Sequence, residues 1–338
     1  MGNEILKRRE RLDRGVKVRT DTIYAVSSWQ EMFFLLVPRL VLVVGLLSAP
    51  LIAPNLYWQK VICILGVFAL LSLGFDFLSH FVGLVSLGGG LFIGVGGYMS
   101  GICNYYFGLP IALSIPMGTL LGAILCTLIL LPTLPLRGVY FAIVTFAYPL
   151  MIERAICAAD VLGGTDGITG LTMLGNIWFS QYMILGVVLF STFGLRKLVN
   201  EDIGMVFRGV KDNDQAIRAS GINITLYKAL AVFISALMGC FGGAYLTHLY
   251  GWVGVSLLAT DFSIFPLVAT AVGGPSTLVG SLIGCIILVP ISETLRAFGA
   301  LRIVMYSLIL IFFIAYWREG LLNWLIRKYE QSEHWTRV

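Results

Sequence analysis

Charge is what this sequence has least of. Only 12% of its 338 residues are Asp, Glu, Lys or Arg, against 58% hydrophobic, whereas soluble domains carry about 25% charged residues. That balance excludes a water-soluble fold. Histidine is rarer still: His80, His248 and His334 stand apart from any Cys or carboxylate at ligand spacing, so neither a zinc nor a haem site is expected. The cysteines Cys63, Cys103, Cys126, Cys157, Cys240 and Cys285 occur singly, with no Cys-x-x-Cys pair, and read as small packing residues. No Gly-Lys dipeptide occurs anywhere, which excludes a Walker-type phosphate loop. No cofactor is expected on this chain, and if ATP drives its work another polypeptide binds the ATP and Mg.

What the sequence has instead is apolar runs. Nine can be marked, at 33–52, 57–79, 81–104, 109–131, 139–159, 177–195, 226–250, 261–290 and 301–317. A hydrocarbon core about 30 Å thick needs roughly 20 apolar residues per helical crossing, and the alternating runs of about ten residues that membrane strands show are absent. The expected fold is therefore all-α, a polytopic integral membrane protein of about 8–10 transmembrane helices.

Basic residues set its orientation. Seventeen of the 23 Lys and Arg fall in three zones: Lys7 to Arg19, Arg196 to Lys228 and Arg318 to Arg337. By the positive-inside rule all three face the cytoplasm, as do both termini. The N-terminal stretch that holds the first zone also contains Glu4, Glu10, Asp13, Asp21 and Glu31 and is too long and acidic for a signal peptide. The expected organisation is a cytoplasmic arm at 1–32, a membrane domain at 33–317 and a cytoplasmic tail at 318–338. The formal charge of +5 is explained by topology, and no nucleic-acid partner is implied.

Nine single crossings would put the two ends on opposite sides, so one run must re-enter or cross twice. The run 261–290 is the candidate, because Gly273-Gly274-Pro275 breaks it. Broken backbone survives at membrane depth only inside protein or beside a wet cavity. A second Gly-dense stretch lies at Gly83 to Gly101, and interruptions in two halves suggest an internal repeat with a transport path between them. Close helix packing is the other role such small residues serve.

Few side chains offer chemistry. Asp76, Asp261, Glu293 and Arg296 lie near the ends of runs, either as interfacial anchors or as functional charges. A proton-driven carrier would carry more carboxylates deep in its helices. His248 with Ser256 superficially resembles a membrane serine protease, but eight residues separate them at a run's end. The polar segment 196–228 is the longest internal one, and Arg208 to Ser220 predicts a short amphipathic helix suited to docking a soluble partner.

Several runs together resemble one family. Gly83-Leu84-Val85-Ser86-Leu87-Gly88 with Gly94-Val95-Gly96-Gly97-Tyr98, the run Arg137 to Thr145, and Gly163-Gly164-Thr165-Asp166-Gly167-Ile168-Thr169-Gly170 look like the branched-chain amino acid ABC importer permease of LivM type. Gly204 to Asp214, Val272 to Gly280 and Trp317-Arg318-Glu319-Gly320-Leu321 fit the same pattern, so the resemblance covers about 60–325. It implies the helical fold shared with sugar permeases and a second homologous permease of LivH type. It also implies two cytoplasmic ATPases and an extracytoplasmic solute-binding protein, with this chain in the inner membrane.

In the wider superfamily an ATPase docks on a Glu-Ala-Ala-x-x-x-Gly pattern, to which Gln215-Ala216-Ile217-Arg218-Ala219-Ser220-Gly221 corresponds here without the glutamate. The resemblance thus implies docking through Arg208, Lys211, Asp212, Asp214, Gln215, Ala216, Arg218, Ala219 and Gly221. It implies a path or outer loop at Ser86, Gly88, Gly89, Gly97, Gly164, Thr165, Asp166, Gly273, Gly274 and Pro275. Departures from the pattern are Gly89 for a frequent His, His80 for Gly and Asp76 for Asn. These leave urea or short amides as alternative substrates, and an ATP-independent carrier, with Asp76 or Asp261 coupling, as the alternative mechanism.

Overall fold

The computed structural model describes residues 43–51, 55–136, 138–295 and, beyond these, 299, 304, 308, 311–312, 320–324 and 327. The arm at 1–32, Arg137, Arg296, most of the run 301–317 and most of the tail lie outside the described residues. The chain divides into two compact units, 1–48 and 49–338. Of the first, residues 43–48 are described and are helical. The second unit holds every element named below.

Its first helix, α1, spans Leu56–Asp76 and continues as a π-helical turn through Phe77–Val82. Gly83, with φ of +82°, ends it, because that conformation is cheap only without a Cβ. Residues 83–88 are not helical, and α2 begins only at Gly89 and runs to Tyr105. The expected run 81–104 is therefore not one helix. Its glycine-rich start is an extended entry to a helix of 17 residues.

Helices α3 (Ile111–Leu130) and α4 (Val139–Ala159) follow, then the β1 strand Ile168–Thr169 and α5 (Ile177–Asn200). Asn176 caps α5 by accepting from Trp178 N. The polar segment contains α6 (Asp202–Asp212) and α7 (Asp214–Ala219). The single helix expected over Arg208 to Ser220 is thus broken at Asn213. The Asn213 side chain accepts from Gln215 N and Ala216 N and starts a new helix, which is what an N-cap does.

Helix α8 (Ile224–Tyr250) ends at Gly251, and β2 (Trp252–Val253) pairs antiparallel with β1, Ile168 opposite Val253. A 3₁₀ turn at Val255–Leu258 leads into α9 (Asp261–Gly273), and α10 spans Val279–Thr294. The run 261–290 is thus two helices packed on each other. Asp76 touches Ser276 and Leu278 at one end of α1, and Tyr57 donates to Glu293 Oε1 at the other, 2.7 Å away. Helix α10, 16 residues and so about 24 Å at 1.5 Å per residue, therefore runs alongside most of α1. Two helices joined by a turn fit the expectation that this run re-enters or crosses twice.

Among the described residues six helical stretches are long and apolar enough to span a membrane: 56–82, 111–133, 139–159, 177–200, 224–250 and 255–273. With their proline interruptions at Pro116, Pro149 and Pro266, they form a multi-pass membrane protein.

The centre is α2 packed between α3 and α8. A Cβ on Gly96 would strike the Cys240 backbone, one on Gly243 the Ile93 carbonyl, and one on Gly118 the Ser100 backbone. Small residues let these axes approach, which drives helix association where lipid removes the hydrophobic incentive. Cys126 and Cys240 meet there as free thiols, their sulfurs 4.0 Å apart.

Gly243→Ala is expected to lower stability by about 1–3 kcal/mol, the usual cost of overpacking. Gly186→Ala, where the new methyl meets nothing within 4 Å, is expected to be neutral or slightly stabilising. Thermal unfolding of the two purified variants in one detergent checks both.

Candidate functional site: a polar platform and three backbone breaks

Among the described residues, α6 and α7 build a polar surface. Phe207 anchors it: the ring is fully buried and meets Phe77 and Tyr227 edge to face, with centroids 5.5 and 6.2 Å away. Gly204 and Val210 share that buried face.

Three of the expected docking residues are used by the chain itself. Arg208 lies over the Phe81 ring at 5.9 Å, Lys211 Nζ donates to the His80 carbonyl at 2.8 Å, and Asp214 pairs with Lys228 at 3.0 Å. The remainder, Asp212, Gln215, Ala216, Arg218, Ala219 and Gly221, are exposed. A cleft of about 260 Å³ runs beside them, bounded by Gly83, Leu136, Gly138 and Lys211. A second of about 370 Å³ is bounded by Asp214, Gln215, Arg218 and Ala219.

The first break, 83–88, is satisfied from within the protein. Leu87 N donates to Thr145 Oγ1 on α4 at 3.0 Å, and Gly88 N to Ser86 Oγ at 3.3 Å. Gly89 and Gly90 then press on backbone at 258–263, and Gly90 N donates to Ser263 Oγ at 3.0 Å. The interruption facing this break is therefore the stretch 254–260 before α9, which holds only a 3₁₀ turn. The expected counterpart was Gly273-Gly274-Pro275, and 254–260 escapes sequence reading because it contains no Gly-Pro signal. Gly97 is enclosed by Leu257, Thr247 and Gly243. Beside it, the buried Tyr98 hydroxyl has no hydrogen-bond partner.

Gly273, Gly274 and Pro275 open the turn between α9 and α10. Ser276 and Leu278 within it have φ of +68° and +57°, and non-glycine residues held there each cost about 1–3 kcal/mol. Asp76 holds both. Its Oδ1 accepts from Ser276 N at 3.0 Å and its Oδ2 from Leu278 N at 2.8 Å, while His80 Nδ1 lies 2.8 Å from Oδ1. Asp76 is fully buried. It is neither an interfacial anchor nor a free carboxylate, and Asp261 sits in the first turn of α9.

At the opposite end, the loop 160–174 is tied down. Gly164 is buried while Thr165 and Asp166 are exposed, and Trp252 Nε1 donates to the Asp166 carbonyl at 2.9 Å. Asn104 exchanges two hydrogen bonds with Thr172. His248, fully buried, lies 2.8 Å by Nδ1 from the Thr172 carbonyl and 3.0 and 3.1 Å by Nε2 from the Ser100 and Ser114 hydroxyls. A carbonyl only accepts, so Nδ1 carries the proton and Nε2 accepts. His248 thus joins α2, α3 and α8 to the loop and has no partnership with Ser256. No run of residues signals this knot, because its members come from four separate segments.

The family model for the branched-chain amino acid transport system / permease component matches residues 57–316. The high-affinity branched-chain amino acid transport system permease protein LivM of Salmonella typhimurium is 24% identical over 287 residues, covering 76% of this chain and 68% of its own length. The LivM protein of Escherichia coli gives the same identity and coverage. A probable branched-chain amino acid transport permease protein LivM of Methanocaldococcus jannaschii is 24% identical over 293 residues, covering 75% of this chain and 82% of that protein. No solved structure matches. The family match extends over most of the chain and over both the polar platform and all three breaks, and the protein belongs to the family of permease components of branched-chain amino acid transport systems.

Proposed function

We propose that this permease is one half of the translocation path of an ATP-binding-cassette importer in the inner membrane, carrying branched-chain or related neutral amino acids. The observation that carries the reading is the platform of α6 and α7. It is polar, is anchored through Phe207, Lys211 and Asp214, and keeps Asp212, Gln215, Ala216, Arg218, Ala219 and Gly221 exposed. Polar helices lying against an apolar bundle fit a soluble partner, and the partner here is an ATPase subunit. Two ATPases hold the ATP and Mg, a second homologous permease of LivH type completes the path, and a solute-binding protein meets the loop at Gly164, Thr165 and Asp166. This chain does no bond chemistry. Both termini, with the platform, face the cytoplasm, as the positive-inside rule requires.

The work of the chain is conformational. Substrate loading and ATP binding each favour one of two arrangements, and coupling exists only as the difference in their binding free energies. The breaks at Ser86 to Gly89 and Gly273 to Pro275 are the places where backbone can change direction without unwinding a whole helix, with Gly97 in the packed helix between. The buried Tyr98 hydroxyl is a donor without a partner, and such groups are costly unless something binds them; we assign it to the path. An ATP-independent carrier would need Asp76 free to take an ion or proton, but two backbone amides and His80 occupy it.

Ala216→Arg and Arg218→Glu change exposed residues and leave the anchors intact. Each is expected to reduce co-purification of the ATPases and leucine uptake in a deletion strain by about tenfold or more, the scale of a disrupted interface contact, with membrane insertion unchanged. Wild-type uptake of leucine over urea would support the amino acid substrate. Full uptake by both variants would contradict the docking surface.

Asn104→Leu leaves Thr172 N and the Leu109 carbonyl without their side-chain partner, at a local cost of about 1–3 kcal/mol. Faster proteolysis within 160–176 and weaker stimulation of ATP hydrolysis by the loaded binding protein are expected, with basal hydrolysis retained.

A further inference from the structure

One turn at the end of α1 touches both the platform and a strained turn of the bundle. On one side, the His80 carbonyl accepts from Lys211 Nζ at 2.8 Å, Phe81 lies under the Arg208 guanidinium, and Gly83 abuts Lys211. On the other side, Asp76 accepts the amides of Ser276 and Leu278. These two amides belong to the non-glycine residues of this turn with left-handed backbone. His80 Nδ1, one helical turn on, lies 2.8 Å from the same carboxylate and 3.0 Å from Ser79 Oγ. The intervening residues 77–82 are π-helical, a geometry found mostly as single turns and frequently at functional sites.

The remaining contacts of the turn are made by its own residues, by Ser281, which donates to the Leu278 carbonyl, and by the segment at Gly320. Thr277 Oγ1 donates to the Gly274 carbonyl and accepts from Gly280 N, and Gly320 closes against Gly274. None of these hydrogen bonds fixes the amides of Ser276 or Leu278. Asp76 is thus the group that holds both amides of the left-handed residues. A strained turn held by a group that is joined to another site is placed to be biased by that site.

We propose that Asp76, hydrogen-bonded to both amides of the strained turn and lying against His80, is a positioning residue that couples displacement of the α6–α7 platform to the turn joining α9 and α10. The inference rests on the permease reading and assigns it a specific mechanical link. Movement of α6 pulls the 77–82 turn through Lys211 and Arg208. The carboxylate moves with it, and Ser276 and Leu278 are released or recaptured.

The test uses the full complex of both permeases, ATPases and binding protein in proteoliposomes. Amide exchange over 274–280 is followed with and without ATP on hydrolysis-deficient ATPases, and leucine transported per ATP hydrolysed is measured for wild type, Asp76→Asn, His80→Gly and the double variant. Exchange in the wild type is expected to respond to nucleotide. Asp76→Asn, which keeps the shape and one acceptor oxygen, is expected to lower leucine per ATP at least about fivefold while ATP hydrolysis stays within about twofold. The double variant is expected to be no worse than Asp76→Asn alone, because the His80 side chain acts here only through the carboxylate that Asp76→Asn removes. Parallel loss of transport and hydrolysis, additive effects, or exchange indifferent to nucleotide in a complex that transports leucine would each overturn the link. Absence of ATP-dependent uptake by the wild-type complex would instead overturn the permease reading.

Discussion

Everything distinctive in this bundle depends on one constraint: backbone that leaves a helix at membrane depth must find its hydrogen bonds inside the protein. The chain leaves α-helix at 83–88, 254–260 and 274–278; at the first and last a side chain from a distant segment reaches the stranded backbone, and beside the second Ser263 reaches the first turn of α2. Thr145 holds Leu87, Ser263 holds Gly90, and Asp76 holds Ser276 and Leu278. Each of these bonds ties one helix to the point where another is interrupted. The interruptions are therefore joints between helices, and a shift of one helix is felt at the break of another.

Helix α1 is the spine of this arrangement. Its far end meets α10 through Tyr57 and Glu293, and its near end carries Asp76, His80 and Phe81 between the α9–α10 turn and α6. The glycines of α2 and α8 do the complementary work of close packing, with Gly96 on Cys240 and Gly243 on Ile93. The two demands on glycine, open backbone at 83 and 274 and tight approach at 96 and 243, are met by different residues. At the opposite end His248 and Asn104 fasten the loop to the same central helices. Both polar ends are thus mechanically continuous with one core.

Much of this was legible in the sequence because it follows from local chemistry. Apolar runs of bilayer length gave the helices 111–130, 139–159 and 224–250 within a few residues, and Gly273-Gly274-Pro275 marked the turn between α9 and α10. The order of the glycine motifs identified the family. What could not be read were partnerships across the chain: Asp76 and Ser276 are separated by 200 residues, and nothing in either neighbourhood announces the other. The stretch 254–260 was hidden because it is mostly apolar and continues into α9 through a 3₁₀ turn, with no Gly-Pro break to mark it. Asn213 was readable, since an Asn before Asp-Gln-Ala is an N-cap signal, yet amphipathic spacing across 208–220 masked it. Phe207 was likewise visible as an apolar residue on a polar helix, the pattern of an anchor.

A platform outside the apolar bundle that drives rearrangement within it is the central claim. Uptake of leucine into proteoliposomes holding the permeases and their ATPases, with the binding protein supplied outside and ATP inside, tests it most directly. The expected result is accumulation that requires ATP hydrolysis and the loaded binding protein together. Leucine equilibrating across the vesicle without ATP, or driven by an ion gradient alone, would contradict it.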